Sequence, residues 1–87
     1  MKLKDGFILR KVGRQYVVAA TGEASKNFNG MIRMDESGAY AFELLHEEIT
    51  EQDFLHALAK KYAMPETQLQ PDVIHFLNKL KEADALV

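Results

Sequence analysis

The feature that most constrains this chain is a strand that passes directly into a helix at residues 31–40. Residues 31–34 are mainly apolar and contain no proline, which is typical of a short β-strand. Asp35 follows, and its side-chain oxygen can accept hydrogen bonds from the first free N–H groups of a helix, so we predict that it is an N-cap. Strand-forming segments precede this point and helical patterns follow it, which predicts an α+β fold.

Two strands are expected before this junction, at residues 7–12 and 15–20. Gly13 and Arg14 form a two-residue turn between them, which predicts a hairpin. Residues 21–27 are small and polar, so we expect a loop that could hold one helical turn. The third strand, at roughly residues 29–34, should pair antiparallel with the second. In a simple meander it is an edge strand, whose unpaired N–H and C=O groups are a template for another chain.

Three helices are expected after the junction. The first should run from Glu36 to about Glu47, with apolar residues at helical spacing: Gly38, Ala41, Phe42, Leu45 and Ile49. Thr50 should cap the second helix, whose buried stripe is expected to contain Leu55, Leu58, Ala59 and Tyr62, with Phe54 beside it.

The second helix should end at residues 63–65, because the residue before Pro65 avoids helical angles. In the last helix, Pro71 fits best at the first helical position. If the helix begins earlier, at residues 66–70, Pro71 should kink it. Its apolar face contains Val73, Phe76, Leu77 and Leu80, continued upstream by Leu69, and residues 83–87 are either a fraying or a packed tail. The order of three strands and three helices predicts a winged-helix-like, three-stranded antiparallel sheet followed by three helices.

Composition limits both size and function. The 87 residues predict a single domain over residues 1–87, and 47% apolar with 28% charged residues is globular composition. The net charge of −2 and the pI of about 5.9 argue against a generic nucleic-acid or membrane-surface protein. The absence of cysteine excludes disulfides and thiolate zinc sites. With no signal peptide and no apolar run of about 20 residues, we expect a cytoplasmic protein.

No pattern of residues indicates catalysis. His46, His56 and His75 lie on three different predicted helices, which does not favour a metal site. Ser37 lacks the surrounding glycines of a nucleophile elbow, so we interpret it as a residue of the first helical turn. We therefore expect no catalytic residues, no cofactor and no metal.

Binding is the remaining class, and the residues leave three hypotheses open. The last helix could read DNA with Lys79, Lys81, His75 and Asn78, although its acidic residues oppose phosphate contacts. Alternatively, a peptide could add a strand along residues 31–34, with the last helix as the opposite wall. In the third hypothesis, Met31, Ile32 and Met34 are ordinary core residues of a strand. The pattern alone favours this third interpretation. Alternation requires Ile32 and Met34, or Met31 and Arg33, to face the core, without deciding which.

The whole chain resembles the coenzyme PQQ synthesis protein D family. The resemblance is carried by residues 6–10 (Gly-Phe-Ile-Leu-Arg), 16–18 (Tyr-Val-Val), 21–24 (Thr-Gly-Glu-Ala) and 28–39 (Phe-Asn-Gly-Met-Ile-Arg-Met-Asp-Glu-Ser-Gly-Ala). Residues 58–62 (Leu-Ala-Lys-Lys-Tyr) and Asp72, Val73, Phe76, Leu77 and Leu80 continue it.

The resemblance implies a winged-helix-like recognition domain for the leader of a ribosomally synthesised precursor peptide. Such domains present the leader to a modifying enzyme, typically a radical-SAM protein, in the synthesis of PQQ or related peptide natural products. By position, the implied peptide-binding residues are Met31, Ile32, Arg33 and Met34 on the third strand and Val73, Phe76 and Lys79 on the last helix.

The chain departs from the PQQ-making branch of that family in two places. That branch tends to have Pro-Glu after the second strand and Cys-Asp-Gly after the first helix, where residues 20–23 read Ala-Thr-Gly-Glu and residues 45–48 read Leu-His-Glu-Glu. A leader other than the PQQ precursor therefore remains open. A small winged-helix DNA-binding regulator is the alternative function, and a purely structural subunit, for example a homodimer formed edge to edge, is a third hypothesis.

Overall fold

A computed structural model of the chain describes residues 1–28 and 30–87, with the backbone alone at Asn27. The predicted α+β class is confirmed: three strands precede three long helices, and one short helical turn lies among the strands. In chain order the elements are β1 (Phe7–Val12), β2 (Gln15–Ala20), α1 (Ala24–Asn27), β3 (Met31–Met34), α2 (Glu36–Leu44), α3 (Glu51–Tyr62) and α4 (Glu66–Glu82).

The sheet is an antiparallel meander with the order β1-β2-β3. The predicted hairpin is confirmed, because β1 and β2 close on the pair Val12 and Gln15, and Gly13 has the positive φ of +63° that such turns use. Tyr16 pairs with Met34 and Val18 with Ile32 in the β2–β3 ladder. In the described part of the chain, β3 pairs only with β2, so it is an edge strand as predicted.

The segment between β2 and β3 forms the single helical turn that the loop was expected to allow. The third strand is shorter at its start than the predicted range of about 29–34, because its ladder with β2 begins at Met31. Position 29, which the prediction included in the strand, lies outside the described residues.

Helix α2 begins where the sequence predicts but ends before the predicted position. The carboxylate of Asp35 accepts hydrogen bonds from the Gly38 N–H at 2.9 Å and from the Ser37 hydroxyl at 2.8 Å, which confirms the N-cap. The helix ends at Leu44, so the predicted end near Glu47 is wrong. The chain turns away at Leu45 because the carbonyl of this buried residue accepts the N–H of Leu3 at 2.9 Å, a contact from the distant N-terminal segment.

Helix α3 is capped as predicted, since the Thr50 hydroxyl accepts the N–H of Asp53 at 3.0 Å. The prediction that Leu58 and Ala59 are buried is confirmed. The stripe is nevertheless rotated toward Phe54, which is fully buried, while Leu55 is half-buried and Tyr62 is 37% exposed. The helix ends at the predicted place, where Ala63 adopts the left-handed conformation with φ of 52°.

Of the two starts that the sequence left open for α4, the preferred one at Pro71 is wrong and the earlier one, within residues 66–70, is confirmed. The helix is continuous from Glu66 to Glu82, with Pro71 inside it. It begins directly after Pro65, whose carbonyl accepts the N–H groups of Gln68 and Leu69 at 3.1 and 3.3 Å. Pro71 removes one bond to the carbonyl of Thr67, and both residues are exposed, so water can satisfy that carbonyl.

The core lies between one face of the sheet and the helices. Phe7 and Val18 from the sheet join the buried helical residues, of which the largest fully buried ones are Phe42, Phe54, Leu77 and Leu80. Residues 83–87 form the packed tail: Ala83 and Ala85 are buried, and Leu86 bridges to Leu3. In the described chain, no helix combines the length and the apolar character that crossing a bilayer requires.

Candidate functional site: the groove between β3 and α4

The two faces of β3 differ in what they contact. Val18, which is fully buried, lies opposite Ile32 in the ladder, so Ile32 and Met34 face the core side of the sheet. Both are half-buried. Met31 and Arg33 alternate to the outer face and are exposed. The structure therefore answers the question of strand orientation that the sequence left open.

The register also determines which backbone groups of β3 are free. A two-residue turn closes on a hydrogen-bonded pair, here Val12 and Gln15, and bonded pairs then recur at every second residue of β1 and β2. The intervening β2 residues Tyr16 and Val18 bond to β3, through Met34 and Ile32. The N–H and C=O groups of Met31 and Arg33 consequently point to the open edge.

Helix α4 supplies the wall opposite this edge. Its groove-facing residues recur at helical spacing, and with the inner face of β3 they enclose about 340 Å³. The apolar lining of the groove includes Ile32, Met34, Leu69, Val73, Phe76 and Leu80. The ring of Phe76 stacks on that of Phe54, with centroids 6.2 Å apart. This contact packs the α4 wall against α3.

The rim of the groove carries charges of both signs. Two hydrogen bonds, from the backbone N–H of Gly38 and the hydroxyl of Ser37, lower the pKa of Asp35, so its carboxylate is ionised at neutral pH. Asp72 adds a second carboxylate, and Lys79 adds a cation.

Tyr62 lines the same groove and packs against a second aromatic ring, that of Tyr40. Burial raises the pKa of Tyr62, with a smaller contribution from the charge of Glu36, so the phenol remains a neutral hydrogen-bonding group. The ring of Tyr62 meets that of Tyr40 edge to face, with centroids 6.1 Å apart. The groove therefore offers apolar surface, a phenol and charged rim groups, which suits an extended peptide better than a small polar molecule.

Six of the seven residues predicted to bind peptide line this groove: Ile32, Arg33, Met34, Val73, Phe76 and Lys79. The side chain of Met31 does not, because it lies on the outer face of the sheet with 68% exposure. The structure thus brings the six residues together, while their role in binding stays a prediction.

Ten residues that line the groove were not predicted as site residues, among them Tyr62, Leu69, Asp72 and His75. The three on α4 precede Phe76 or Lys79 by one to seven residues on the same helical face, so extending that periodicity would have found them. Tyr62 had been assigned to the buried stripe of its helix, and nothing in the local sequence indicates that it reaches the groove.

Two of the three histidines each lie beside a separate carboxylate. His46 lies 3.4 Å from Glu43, and His56 lies 3.2 Å from Glu66. Within residues 1–28 and 30–87, no three histidine, aspartate or glutamate side chains come together as metal ligands could.

Comparisons with known proteins agree with this architecture. A solved structure of TbiB1 in complex with the TbiA(beta) leader peptide has a similar fold, with a TM-score of 0.74 over 99% of this chain and 94% of that one, at 19% sequence identity. No curated protein matches the chain significantly. The family model of coenzyme PQQ synthesis protein D (PqqD) matches residues 11–86. The chain therefore belongs to the PqqD family.

Proposed function

We propose that this protein binds the leader segment of a ribosomally synthesised precursor peptide and presents it to the enzyme that modifies the peptide. The observation that carries the proposal is the open edge of β3, whose inner-face residues Ile32 and Met34 line an apolar groove against Val73 and Phe76 of α4. A free edge beside an apolar groove is the arrangement that strand addition uses.

In this mechanism the leader becomes a fourth strand beside β3. Main-chain bonds form with the N–H and C=O groups of Met31 and Arg33, which the register directs to the open edge. Alternate leader side chains then enter the groove and cover Ile32, Met34 and Phe76, which are half-buried without a ligand. Main-chain bonds supply affinity that is independent of sequence, while the groove supplies selectivity.

Family membership and the fold comparison both favour a leader as the ligand. TbiB1, which shares the fold, was solved with a leader peptide, and the family model carries the name of a PQQ synthesis protein. We extend the proposal to the partner: a radical-SAM enzyme of PQQ or related peptide natural-product synthesis. The chain itself acts as a non-catalytic chaperone in the cytoplasm, without a cofactor.

The rim charges define which leaders fit. Asp35 and Asp72 favour a basic leader residue, whereas Lys79 favours an acidic one. Such exposed pairs contribute only about 0–1 kcal/mol each, so they tune selectivity and the apolar contacts dominate affinity.

The test is a methyl NMR titration of protein labelled at methionine, isoleucine and valine. The probe is a synthetic leader encoded by a short reading frame beside the gene for this chain. We expect the methyl signals of Ile32, Met34 and Val73 to shift, and that of Ile8, on the outer face of the sheet, to remain unchanged. A scrambled peptide of the same composition is the control.

Two outcomes would contradict the proposal. One is an absence of shifts in the groove with leaders from the neighbouring reading frames. The other is a response to duplex DNA that decreases steeply with salt, which would favour the DNA-binding regulator because phosphate contacts release counterions. Leader binding through main-chain bonds and apolar contacts should depend much less on salt.

A further inference from the structure

The face of the sheet that points away from the helices forms a second surface, which we call the outer face. Two cross-strand rows make it up: Ile8, Ala19 and Met31 in one, and Arg10, Val17 and Arg33 in the other. None of the six residues is buried, whereas Phe7 and Val18 on the opposite face are. The helices therefore cover one side of the sheet and leave this side open.

The composition of the outer face is unusual for a surface that only contacts water. The open side of an antiparallel sheet is commonly polar, yet here four of six residues are apolar and none is aspartate, glutamate or lysine. Met31 is 68% exposed, and Val12, which continues the same face, is 61% exposed. Enrichment in methionine and arginine with depletion of lysine and carboxylates is typical of the centre of a protein interface.

Charge indicates what kind of partner fits. Residues 1–34 contain seven lysines and arginines and two carboxylates, a net charge of +5, while residues 35–87 have a net charge of −7. Arg10 and Arg33 flank Val17 in one row of the outer face, with no carboxylate in either row. Two copies meeting through this face would oppose like charges, which argues against a homodimer there. An acidic partner would instead be attracted.

We propose that the outer face docks a protein surface that is apolar at its centre and carries carboxylates opposite Arg10 and Arg33. The identity of this partner, the enzyme that modifies the bound peptide, rests on the proposed function. The groove and the outer face lie on opposite sides of the sheet, so leader and enzyme bind at the same time. Two residues of β3 contribute to both: Arg33 also borders the groove, and the backbone of Met31 belongs to the edge that binds the leader.

The first test separates the two surfaces with the methyl-labelled protein. The probe is the unlabelled modifying enzyme encoded beside the gene for this chain, added with and without the leader. We expect the enzyme to broaden the methyl signals of Ile8 and Val17, whereas the leader alone shifts those of Ile32 and Met34. Enzyme-induced broadening confined to Ile32 and Met34, or no enzyme binding, would overturn the docking proposal, while leader shifts would still support the groove.

The second test is a charge reversal that spares the groove. Arg10 lies on β1, at the far side of the sheet from the open edge of β3. Arg10→Glu should weaken enzyme binding about tenfold or more and increase its dissociation rate, because it places like charges together in the interface. The leader dissociation constant should change less than about twofold, since Arg10 does not line the groove.

Lys60→Glu is the matched control, because it makes the same charge change at an exposed position on α3. Its affinity for the enzyme should stay close to that of the unchanged protein. Val12→Asp tests the same face independently and should also weaken docking. If Arg10→Glu and Val12→Asp are folded by circular dichroism and still bind the enzyme normally, the outer face is not the docking surface.

Discussion

Two residues at the start of α2 determine how closely this helix approaches the groove strand. Asp35 caps the helix through the N–H of Gly38 and so ties the first turn to the end of β3. Gly38 lies against Met34, where an added Cβ would be 2.8 Å from the Cβ of Met34. A side chain at position 38 would therefore displace either the helix or the strand that carries the proposed binding edge.

The cap can be tested by substitution. Asp35→Ala should lower the free energy of unfolding by about 1 kcal/mol at neutral pH, since it leaves the N–H of Gly38 without its acceptor. Asp35→Asn retains an oxygen acceptor and should lose much less. Urea denaturation of the three proteins measures both effects, and equal stability of all three would show that the cap contributes nothing.

The same cap predicts a pH dependence with a definite sign. The folded protein lowers the pKa of Asp35 below its ordinary value of 3.8, so the stabilisation by the carboxylate is present above that value and is lost as pH falls through the folded pKa. The advantage of the unchanged protein over Asp35→Asn should therefore shrink between pH 6 and strongly acidic conditions. An advantage that grows as pH falls would contradict this prediction.

Gly38→Ala tests helix propensity against packing. Propensity alone predicts a stabilisation of about 1 kcal/mol, because alanine is the better helix former. The contact with Met34 predicts the opposite, a loss of about 1–3 kcal/mol from overpacking. We expect packing to dominate and leader affinity to fall as β3 moves, as thermal melts and a binding titration would report. A more stable protein with unchanged affinity would show that the approach of helix and strand is not critical.

At the scale of elements, β3 has a different role at each of its two hydrogen-bonding edges. Its Ile32 and Met34 positions bond to β2 and hold the sheet together, whereas Met31 and Arg33 direct their backbone groups to the free edge. Substitutions on alternate residues should consequently separate folding from binding.

Proline at these alternate positions makes the separation measurable. Met31→Pro removes an outward N–H and should weaken leader binding about tenfold or more while the fold persists, because a leader carbonyl loses its donor. Met31→Ala is the matched control, since it keeps the N–H and should bind nearly normally. Ile32→Pro removes a donor from the β2–β3 ladder and should destabilise the sheet instead. Normal leader affinity in a folded Met31→Pro variant would contradict strand addition at this edge.

At the scale of the whole molecule, the groove depends on distant parts of the chain. The tail around Ala85 packs into the core and bonds to Lys4, and Leu3 bonds to the carbonyl that ends α2. The stacking of Phe54 on Phe76 joins α3 to the groove wall. A ligand in the groove thus contacts elements that fold only together, and its binding energy should stabilise the entire domain.

This coupling predicts a thermal shift. A leader at 100 times its dissociation constant should add about 2.7 kcal/mol to the stability of the folded state. For a domain of this size, that increase raises Tm by roughly 10–20 °C. Differential scanning calorimetry measures it, with a scrambled leader as the control. If Tm is unchanged although titration reports binding, the leader does not bind the folded state in preference to the unfolded state.

Local sequence predicted the elements well wherever the controlling interaction is itself local. The hairpin depends on Gly13 and its flanking strand formers, and the helix starts depend on the side chains of Asp35 and Thr50 bonding three residues ahead. These features need only neighbouring residues, whose chemistry is visible in the sequence. The free edge of β3 and the helical wall opposite it followed from the meander and the periodicity of α4, whereas the individual groove residues were implied by the resemblance to the PqqD family.

One error occurred where distant segments meet: the N–H of Leu3 donates to the carbonyl of Leu45, and α2 ends earlier than predicted. The other was local: α4 begins directly after Pro65, because an exposed helix tolerates the hydrogen bond that Pro71 removes.

By itself, the sequence determined the order of strands and helices, their main caps and the edge position of β3, because those depend on local hydrogen bonding and on the meander. Only the tertiary structure decided which side of β3 is the groove and which is the outer face. The reason is physical: alternation makes both sides of Met31–Met34 plausible, and the pairing of Ile32 with buried Val18 selects between them.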